Sequence, residues 1–248
     1  MFTMTHMYFS FEFLDKNNAV TLGAMFPDTF IFSPLTYQQT HSNAKKLVEF
    51  CVANYPQYIQ FAQSVLLHET LDYFGDKNWE GSGVGYCFIN GRDLVSDIMR
   101  VYDTHDESFA TFKAHNFIEM AIQVLLVDTY PGLPELFREA INDIVLIDGL
   151  AGMLGDYYKV DCDVIKRSLL RFPTVVEYED PSLRNMIAKS NLQTLIKNKK
   201  TIDIDEGIKL ISQAREILLL EYFPNTIDEL CVFAMCKRFI ADNHLLDI

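Results

Sequence analysis

Apolar residues recur three and four positions apart along most of the chain, which is the spacing of an α-helix that buries one face. The segments with this spacing are 43–54, 57–74, 91–102, 109–127, 134–147, 204–222 and 225–243. No run of residues alternates between apolar and polar as a half-buried strand does. The sequence therefore predicts an all-α fold built from many helices. We expect Asp203 or Asp205 to cap the helix over 204–222.

Glycine, proline and aspartate mark the breaks between these segments. We expect loops at 26–34, 75–85, 129–134 and 177–182. The chain has 248 residues, of which 49% are apolar, and this is enough to build a domain-sized core. We predict a single all-α domain over 1–248, with a weaker internal division between residues 150 and 200.

The chain is acidic, with a formal net charge of −13. Surfaces that bind nucleic acid or other polyanions are basic, so this charge disfavours nucleic acid as a partner. A small phosphate substrate remains open, because bound divalent cations would reverse the local sign of the charge.

Cysteine usage and the first residues favour a cytoplasmic protein. The five cysteines are scattered and form no CxxC pair, which favours reduced thiols over a cysteine-rich zinc site. The first residues, MFTMTHMYFSFEFLDKN, have neither an early basic residue nor a small-residue cleavage site, so they do not resemble a secretory signal. We predict no membrane span, since no stretch of about 18 uncharged apolar residues exists.

The sequence LLHETLDYFGD, residues 66–76, places polar side chains inside an apolar helical segment. His68, Asp72 and Asp76 follow at intervals of four residues, so on one α-helix they would form a column. A buried carboxylate is normally paired or bound to a metal, because its burial alone is costly. The column therefore indicates either a hydrogen-bonded core motif or part of a metal site.

A second apolar segment, 109–127, carries His115 and Glu119, again four residues apart. Two such pairs weaken the interpretation as a hydrogen-bonded core motif, and the spacing alone leaves that motif and a metal site both open. Imidazole and carboxylate together suit zinc and other first-row divalent ions.

Three residues nearer the N-terminus extend the set of candidate ligands. Asp28 follows a proline in TLGAMFPDTF, where Gly23 permits close packing, and His41 precedes the helix over 43–54. His6 lies in the apolar segment MTHMYFSFEFL. The complete set of candidate metal ligands is His6, Asp28, His41, His68, Asp72, Asp76, His115 and Glu119.

The order TH…FEFL…GAxFPD…H…HxxxD…HxxxE, over about residues 3–120, resembles the zinc-dependent phospholipase C family. It is most similar to the catalytic domain of glycosylphosphatidylinositol-specific phospholipase D, and the wider superfamily includes the single-strand-specific zinc nucleases. Each motif is short, and their joint order carries the resemblance. The resemblance implies a multi-helix bundle with a metal cleft, in which a metal-site core at 3–127 precedes a helical portion at 134–248.

The resemblance also implies how the ligands divide among the ions. The first ion would be held by Asp28, His41, His68 and Asp72. In the family, a histidine from the loop after HxxxD joins HxxxE at a second ion.

In this chain the second ion would take His115, Glu119 and Asp76, which stands in place of that histidine. A third ion would use His6 and share Asp72; in secreted relatives a cleaved N-terminus completes that third site. The expected ions are two or three Zn²⁺, with Fe or Mn as alternatives.

The activity implied by the resemblance is hydrolysis of phosphoester bonds, as in a phospholipase C-like phosphodiesterase. The substrate would be a small phosphoester or a phospholipid headgroup. Asp28 and Asp72 would be the catalytic carboxylates, beside the metals that activate the attacking water. Aromatic residues in nearby loops could contact the substrate or simply pack in the core: Phe26, Phe30, Tyr37, Trp79 and Tyr86.

Two other functions stay open on the sequence alone. The same fold could hold metal without catalysis, since Asp76 replaces the histidine of the family. An HD-domain phosphohydrolase would use an adjacent pair, His105–Asp106, although this pair lies in a polar segment at 103–108.

Overall fold

The computed structural model describes residues 2–78, 81–221 and 231–247. These residues form helices and connecting turns with no strand among them, so the all-α prediction is confirmed. No helix within these ranges is long and apolar enough to cross a membrane. The α-helices follow in chain order as α1 (Thr3–Phe11), α2 (Asn18–Met25), α3 (Tyr37–Thr40), α4 (Ala44–Asn54), α5 (Ile59–Asp72), α6 (Tyr86–Asn90), α7 (Val95–Val101), α8 (Glu107–Thr129), α9 (Leu133–Asn142), α10 (Ile144–Tyr158), α11 (Cys162–Arg171), α12 (Leu183–Asn198), α13 (Ile204–Glu221) and α14 (Cys231–Asp242).

The longest periodic segments give the most accurate helix predictions. The segments 43–54, 109–127 and 204–222 correspond to α4, α8 and α13 with small differences at the ends. Asp203 caps α13, because its Oδ1 accepts hydrogen bonds from the backbone N–H groups of Asp205 at 2.9 Å and Glu206 at 3.2 Å. The segment 225–243 contains α14, and its residues 225–230 lie outside the described residues.

The prediction of one helix over 134–147 was wrong. α9 ends at Asn142 and α10 begins at Ile144. Between them, Asp143 leaves the helical conformation with φ −79° and ψ 75°, and its side chain accepts a hydrogen bond from the N–H of Leu146 at 3.1 Å. A residue that caps the start of α10 in this way cannot also continue α9.

Two predicted loops contain helical turns. Phe26–Phe32 is a 3-10 helix, in which Pro27 has the fixed φ of a helix start and Thr29 Oγ1 donates to the carbonyl of Phe26 at 2.7 Å. Tyr73–Lys77, which overlaps the predicted loop at 75–85, is a π-helix that continues directly from α5. Both turns carry candidate ligands.

The backbone separates into two compact units, each assembled from distant parts of the chain. Unit A comprises residues 6–70 and 132–179, and unit B comprises residues 1–5, 71–131 and 180–248. Both units draw on the metal-site core and on the helical portion that the sequence predicted. That these portions fold as one domain stays a prediction.

In unit A, α2 packs against α9, and α11 packs against both α10 and the 3-10 helix Phe26–Phe32. Ser64 of α5 joins this group, because its hydroxyl donates to the carbonyl of Val20 at 2.7 Å and lies 3.0 Å from the Ser10 hydroxyl. α5 is therefore tied to both α1 and α2 by buried hydrogen bonds.

In unit B, the long helix α8 packs against α6, α7 and α13, and α12 packs against α13. A buried lysine crosses from α8 to α12, since Lys113 Nζ donates to Thr194 Oγ1 at 2.8 Å. α14 packs against the π-helix Tyr73–Lys77. α8 is thus held on several sides, which fixes the side chains it carries.

Candidate metal centre

Four of the six histidines are buried, and they are the four that the sequence predicted as ligands: His6, His41, His68 and His115, each with at most 3% of its surface exposed. The other two, His105 and His244, are exposed. A buried imidazole is retained where it is hydrogen-bonded or bound to a metal, so the partners of each ring decide its role.

Unit A brings together His6, Asp28, His41 and His68, which we call the histidine-rich cluster. The rings of His6 and His68 stack with centroids 3.5 Å apart, and the His41 ring meets His68 edge to face at 5.2 Å. Donor atoms of His6, Asp28 and His68 lie within 4.8 Å of one another. Two rings stacked this closely favour the neutral imidazole, which is the form that binds metal.

Backbone carbonyls orient two rings of this cluster. His68 Nδ1 lies 2.7 Å from the carbonyl oxygen of Ala24, and His41 Nδ1 lies 3.1 Å from that of Tyr37. A carbonyl only accepts, so Nδ1 of His68 carries the proton and its Nε2 carries the lone pair. His41 Nδ1 also lies 2.8 Å from the Thr40 hydroxyl, which can donate or accept, and we assign its proton to Nδ1 because of the Tyr37 carbonyl. This is the second-shell arrangement that fixes the tautomer of a metal-binding histidine.

Asp28 faces the Nε2 side of these rings from the 3-10 helix. Its Oδ1 lies 3.6 Å from His41 Nε2, and 27% of its side chain is exposed while the histidines are buried. Burial raises the pKa of Asp28, but positive charge on the rings of His41 and His68, when they are protonated, outweighs it and brings the pKa to about 2. Beside neutral rings, a bound divalent ion would supply that positive charge instead. The carboxylate forms the solvent-accessible edge of the cluster.

Gly23 allows α2 to approach α5 closely enough for His68 to reach its carbonyl partner. A Cβ at position 23 would lie 2.4 Å from the carbonyl oxygen of Phe61 and 2.8 Å from the Cβ of Ser64. Ala24, the next residue, supplies the carbonyl that binds His68 Nδ1. The orientation of His68 thus depends on a residue with no side chain.

Asp72 is the last residue of α5, one turn after His68, and it is buried. The α-helix ends there, and Asp76 lies in the π-helix Tyr73–Lys77. The expected α-helical column of His68, Asp72 and Asp76 therefore stops at Asp72, because the wider turn of a π-helix rotates the residues that follow. π-Helical turns are frequent at functional sites.

Unit B brings together Asp76, Cys87, His115 and Glu119, which we call the carboxylate-rich cluster. His115 Nε2 lies 3.6 Å from Glu119 Oε1 and 4.0 Å from Asp76 Oδ1. His115 Nδ1 donates to the carbonyl of Phe112, so Nε2 again carries the lone pair. Asp76 Oδ1 is buried and makes no hydrogen bond to any described residue.

The protonation states in this cluster follow from burial. Burial lowers the pKa of His115 to about 4, although Asp76 opposes the shift, so the ring is neutral at physiological pH. Burial, together with the nearby carboxylates of Glu119 and Asp72, raises the pKa of Asp76 to about 7. Carboxylates gathered this closely without a cation repel one another, and a bound divalent ion would relieve that repulsion.

Both clusters have the spacing that a bound ion requires. Metal–nitrogen and metal–oxygen bonds of about 2.0–2.2 Å place two ligands of one tetrahedral ion about 3.4 Å apart. The distances His41 Nε2–Asp28 Oδ1 and His115 Nε2–Glu119 Oε1 are both 3.6 Å. This is too long for a hydrogen bond and close to the separation of two ligands on one ion. The residues of each cluster therefore fit a divalent metal.

The remaining candidates lie elsewhere. His105 is in an exposed turn, and Asp106 caps α8 by accepting from the N–H of Phe109 at 3.0 Å, so this pair is not a buried HD-type ligand set. Phe26 and Tyr86 are core residues with at most 1% exposure and do not line a rim. Trp79 lies outside the described residues.

Phe30 and Tyr37 do flank the histidine-rich cluster. Tyr37 stacks on the His41 ring at 4.0 Å and is 39% exposed, and Phe30 meets the same ring edge to face at 5.7 Å. They form an aromatic wall beside the ligand that faces Asp28.

Sequence reasoning did not assign Cys87, whose thiol lies in the carboxylate-rich cluster. Ligand atoms of Asp76, Cys87 and Glu119 are all within 4.8 Å of one another. The only sequence signal is a cysteine in the short apolar segment GYCFIN, which predicts a core thiol equally well.

Comparisons with protein-family models, with curated proteins and with solved structures give no match for this chain.

Proposed function

We propose that this chain is a metal-dependent hydrolase of phosphoester bonds that uses a di- or trinuclear metal cluster to activate water. One repeated feature carries the proposal. In both clusters a buried histidine donates its Nδ1 proton to a backbone carbonyl, and its Nε2 stands 3.6 Å from a carboxylate oxygen. A hydrogen-bonded core motif would bring the nitrogen and the carboxylate to about 2.7–2.9 Å.

Bound divalent ions would polarise the phosphoryl group and lower the pKa of a water molecule to near neutrality. The residues around them would hold the ions and receive the proton. Asp28 suits holding an ion and orienting the water, because it is the accessible member of its cluster. A carboxylate with a pKa of about 2 is a weak proton acceptor at neutral pH. Asp72, one turn from His68, would complete the first ligand set that the family resemblance implies.

The substrate class follows from charge and from the aromatic wall. In an acidic chain, bound cations would supply positive charge for an anionic phosphoester, and both clusters are suited to hold them. Phe30 and Tyr37 would contact the apolar or aromatic part of a small phosphoester or a phospholipid headgroup. Zn²⁺ is the proposed ion, with Fe or Mn as alternatives.

Metal analysis tests the first part of the proposal. We expect at least two equivalents in protein purified without chelator, with separate losses in His68→Ala and in His115→Ala, because each residue belongs to a different cluster. His105→Ala is the matched control, since this exposed histidine is outside both clusters. No metal in the wild type, with both buried variants merely destabilised, would reduce the clusters to core motifs and refute the proposal.

Hydrolysis of bis-p-nitrophenyl phosphate tests the second part. His68→Ala and Asp72→Asn should each lower turnover by at least about 100-fold, the scale expected when a catalytic group is lost. The alternative is a protein that holds metal without catalysis, which Asp76 favours by replacing the histidine of the family. Full metal content without turnover on any phosphoester would support that alternative.

A further inference from the structure

Cys87 lies at the second position of α6 and is completely buried. Close backbone contacts hold this short helix at both ends. A Cβ at Gly85 would lie 2.2 Å from the backbone of Gly75 and of Asp76, and one at Gly91 would lie 3.0 Å from the backbone of Ala114. α6 is therefore pressed against the π-helix that carries Asp76 and against the turn of α8 that precedes His115.

The thiol joins a mixed set of donor atoms. The Sγ of Cys87 and a carboxylate oxygen from each of Asp76 and Glu119 lie within 4.8 Å of one another. The Nε2 of His115 is 3.6 Å from Glu119 Oε1 and 4.0 Å from Asp76 Oδ1. The sulfur and two carboxylate oxygens thus form a set of three mutually close donors, and His115 Nε2 lies beside both carboxylates.

We propose that Cys87 binds, as a thiolate, the metal ion of the carboxylate-rich cluster together with Asp76 and Glu119. This inference rests on the proposed metal in that cluster and adds Cys87 to its ligands. On binding, a metal–sulfur bond forms and the thiol proton is released to solvent, so charge and atoms balance. Without the ion, burial and the adjacent carboxylates favour the protonated thiol.

A thiolate ligand determines which ions the cluster prefers. Sulfur is a soft donor that selects Zn²⁺, Cd²⁺, Co²⁺ or Fe²⁺, whereas Mg²⁺, Ca²⁺ and Mn²⁺ prefer oxygen. Among the ions of the proposed function, the inference therefore favours Zn²⁺ or Fe²⁺ over Mn²⁺ at this cluster. It predicts that Mn²⁺ competes poorly for binding there.

Titration of the metal-free full-length chain with Cd²⁺ tests the proposal, because thiolate–cadmium bonds give an ultraviolet charge-transfer band that oxygen and nitrogen ligands do not. The background is Cys162→Ser, because the exposed Cys162 lies with Asp161 and Asp163 and could bind cadmium itself. We expect one equivalent of the band in this background and its complete loss when Cys87→Ser is added. Cys51→Ala is the matched control, since Cys51 is an equally buried thiol of unit A whose sulfur contacts that of Met153 at 3.8 Å. That variant should keep the full band.

The measurement in the Cys162→Ser background tests the inference even if Cys87→Ser fails to fold. Bound cadmium without a thiolate band would overturn the inference and leave the proposed hydrolase intact. A band that persists in folded Cys87→Ser would also overturn it. A thiolate band in a protein without phosphoesterase activity would support Cys87 as a metal ligand and would count against the proposed function.

Discussion

Gly23→Ala should destabilise unit A and disturb His68, although glycine to alanine within a helix is ordinarily stabilising. The new Cβ would lie 2.4 Å from the carbonyl oxygen of Phe61, and an ordinary contact at 3.4 Å requires α2 and α5 to separate by about 1 Å. That separation would stretch the hydrogen bonds from Ser64 to Val20 and from His68 to Ala24, both 2.7 Å.

The magnitude follows from three opposing contributions. Overpacking of a tight interface costs about 1–3 kcal/mol. Each of the two weakened hydrogen bonds costs about 1 kcal/mol. The higher helix propensity of alanine recovers about 1 kcal/mol. We therefore expect the free energy of unfolding to fall by about 2–4 kcal/mol, measured by urea denaturation of the metal-free protein.

Gly152→Ala is the matched control for this variant. Gly152 lies within α10, also in unit A, and a Cβ there would meet no atom within 4 Å. Its substitution should be neutral or stabilising by up to about 1 kcal/mol. If Gly23→Ala were no less stable than Gly152→Ala, the close approach of α2 to α5 would not require a glycine at position 23.

Three further perturbations test other features of the molecule. Burial raises the pKa of the Cys51 thiol to about 11 from 9.0, so this group's contribution to stability is fully present below pH 9 and is lost as pH rises towards 11. The loss should reach about 2 kcal/mol at most and be absent from Cys51→Ala in urea denaturation across that range. Tyr37→Ala removes the ring stacked on His41 and should raise the KM for bis-p-nitrophenyl phosphate about threefold to tenfold, while Tyr37→Phe keeps the wild-type value. Equal KM values for both variants would show that the Tyr37 ring does not contact the substrate. Asp203→Ala should cost about 1 kcal/mol by uncapping α13, and Asp203→Asn should restore most of it; thermal unfolding of the two variants measures the difference.

Periodicity predicted the helices where one buried face persists, as in α4, α8 and α13. It failed where a single polar residue changes role. The apolar pattern runs through 134–147 without a break, yet Asp143 uses its side chain to start α10 and so ends α9. The sequence offers the aspartate as a capping residue, but its backbone conformation is set by contacts such as the hydrogen bond from Asn18 Nδ2, at 3.0 Å.

In the candidate site, too, some positions are set by local sequence spacing and others by contacts with distant parts of the chain. The pairing of His115 with Glu119 is a property of one helix, because residues four apart lie on one face, and it could be predicted. The position of Asp76 beside that pair depends on the π-helix after Asp72, which the apolar periodicity does not indicate. Cys87 joins them because Gly85 and Gly91 let backbones approach closely, and glycine alone does not identify which neighbour will approach.

The same distinction predicts how the two clusters respond to Gly23→Ala. His115 and His41 donate to carbonyls of their own turns, those of Phe112 and Tyr37, so their orientation is locally determined. His68 instead donates to Ala24 on another helix and depends on the approach at Gly23. Loss of this kind of support typically weakens metal binding about 10- to 100-fold. Zinc affinity should therefore fall at the histidine-rich cluster, while the cadmium–thiolate band of Cys87 keeps its midpoint. Equal weakening at both clusters would contradict the local support inferred for His115.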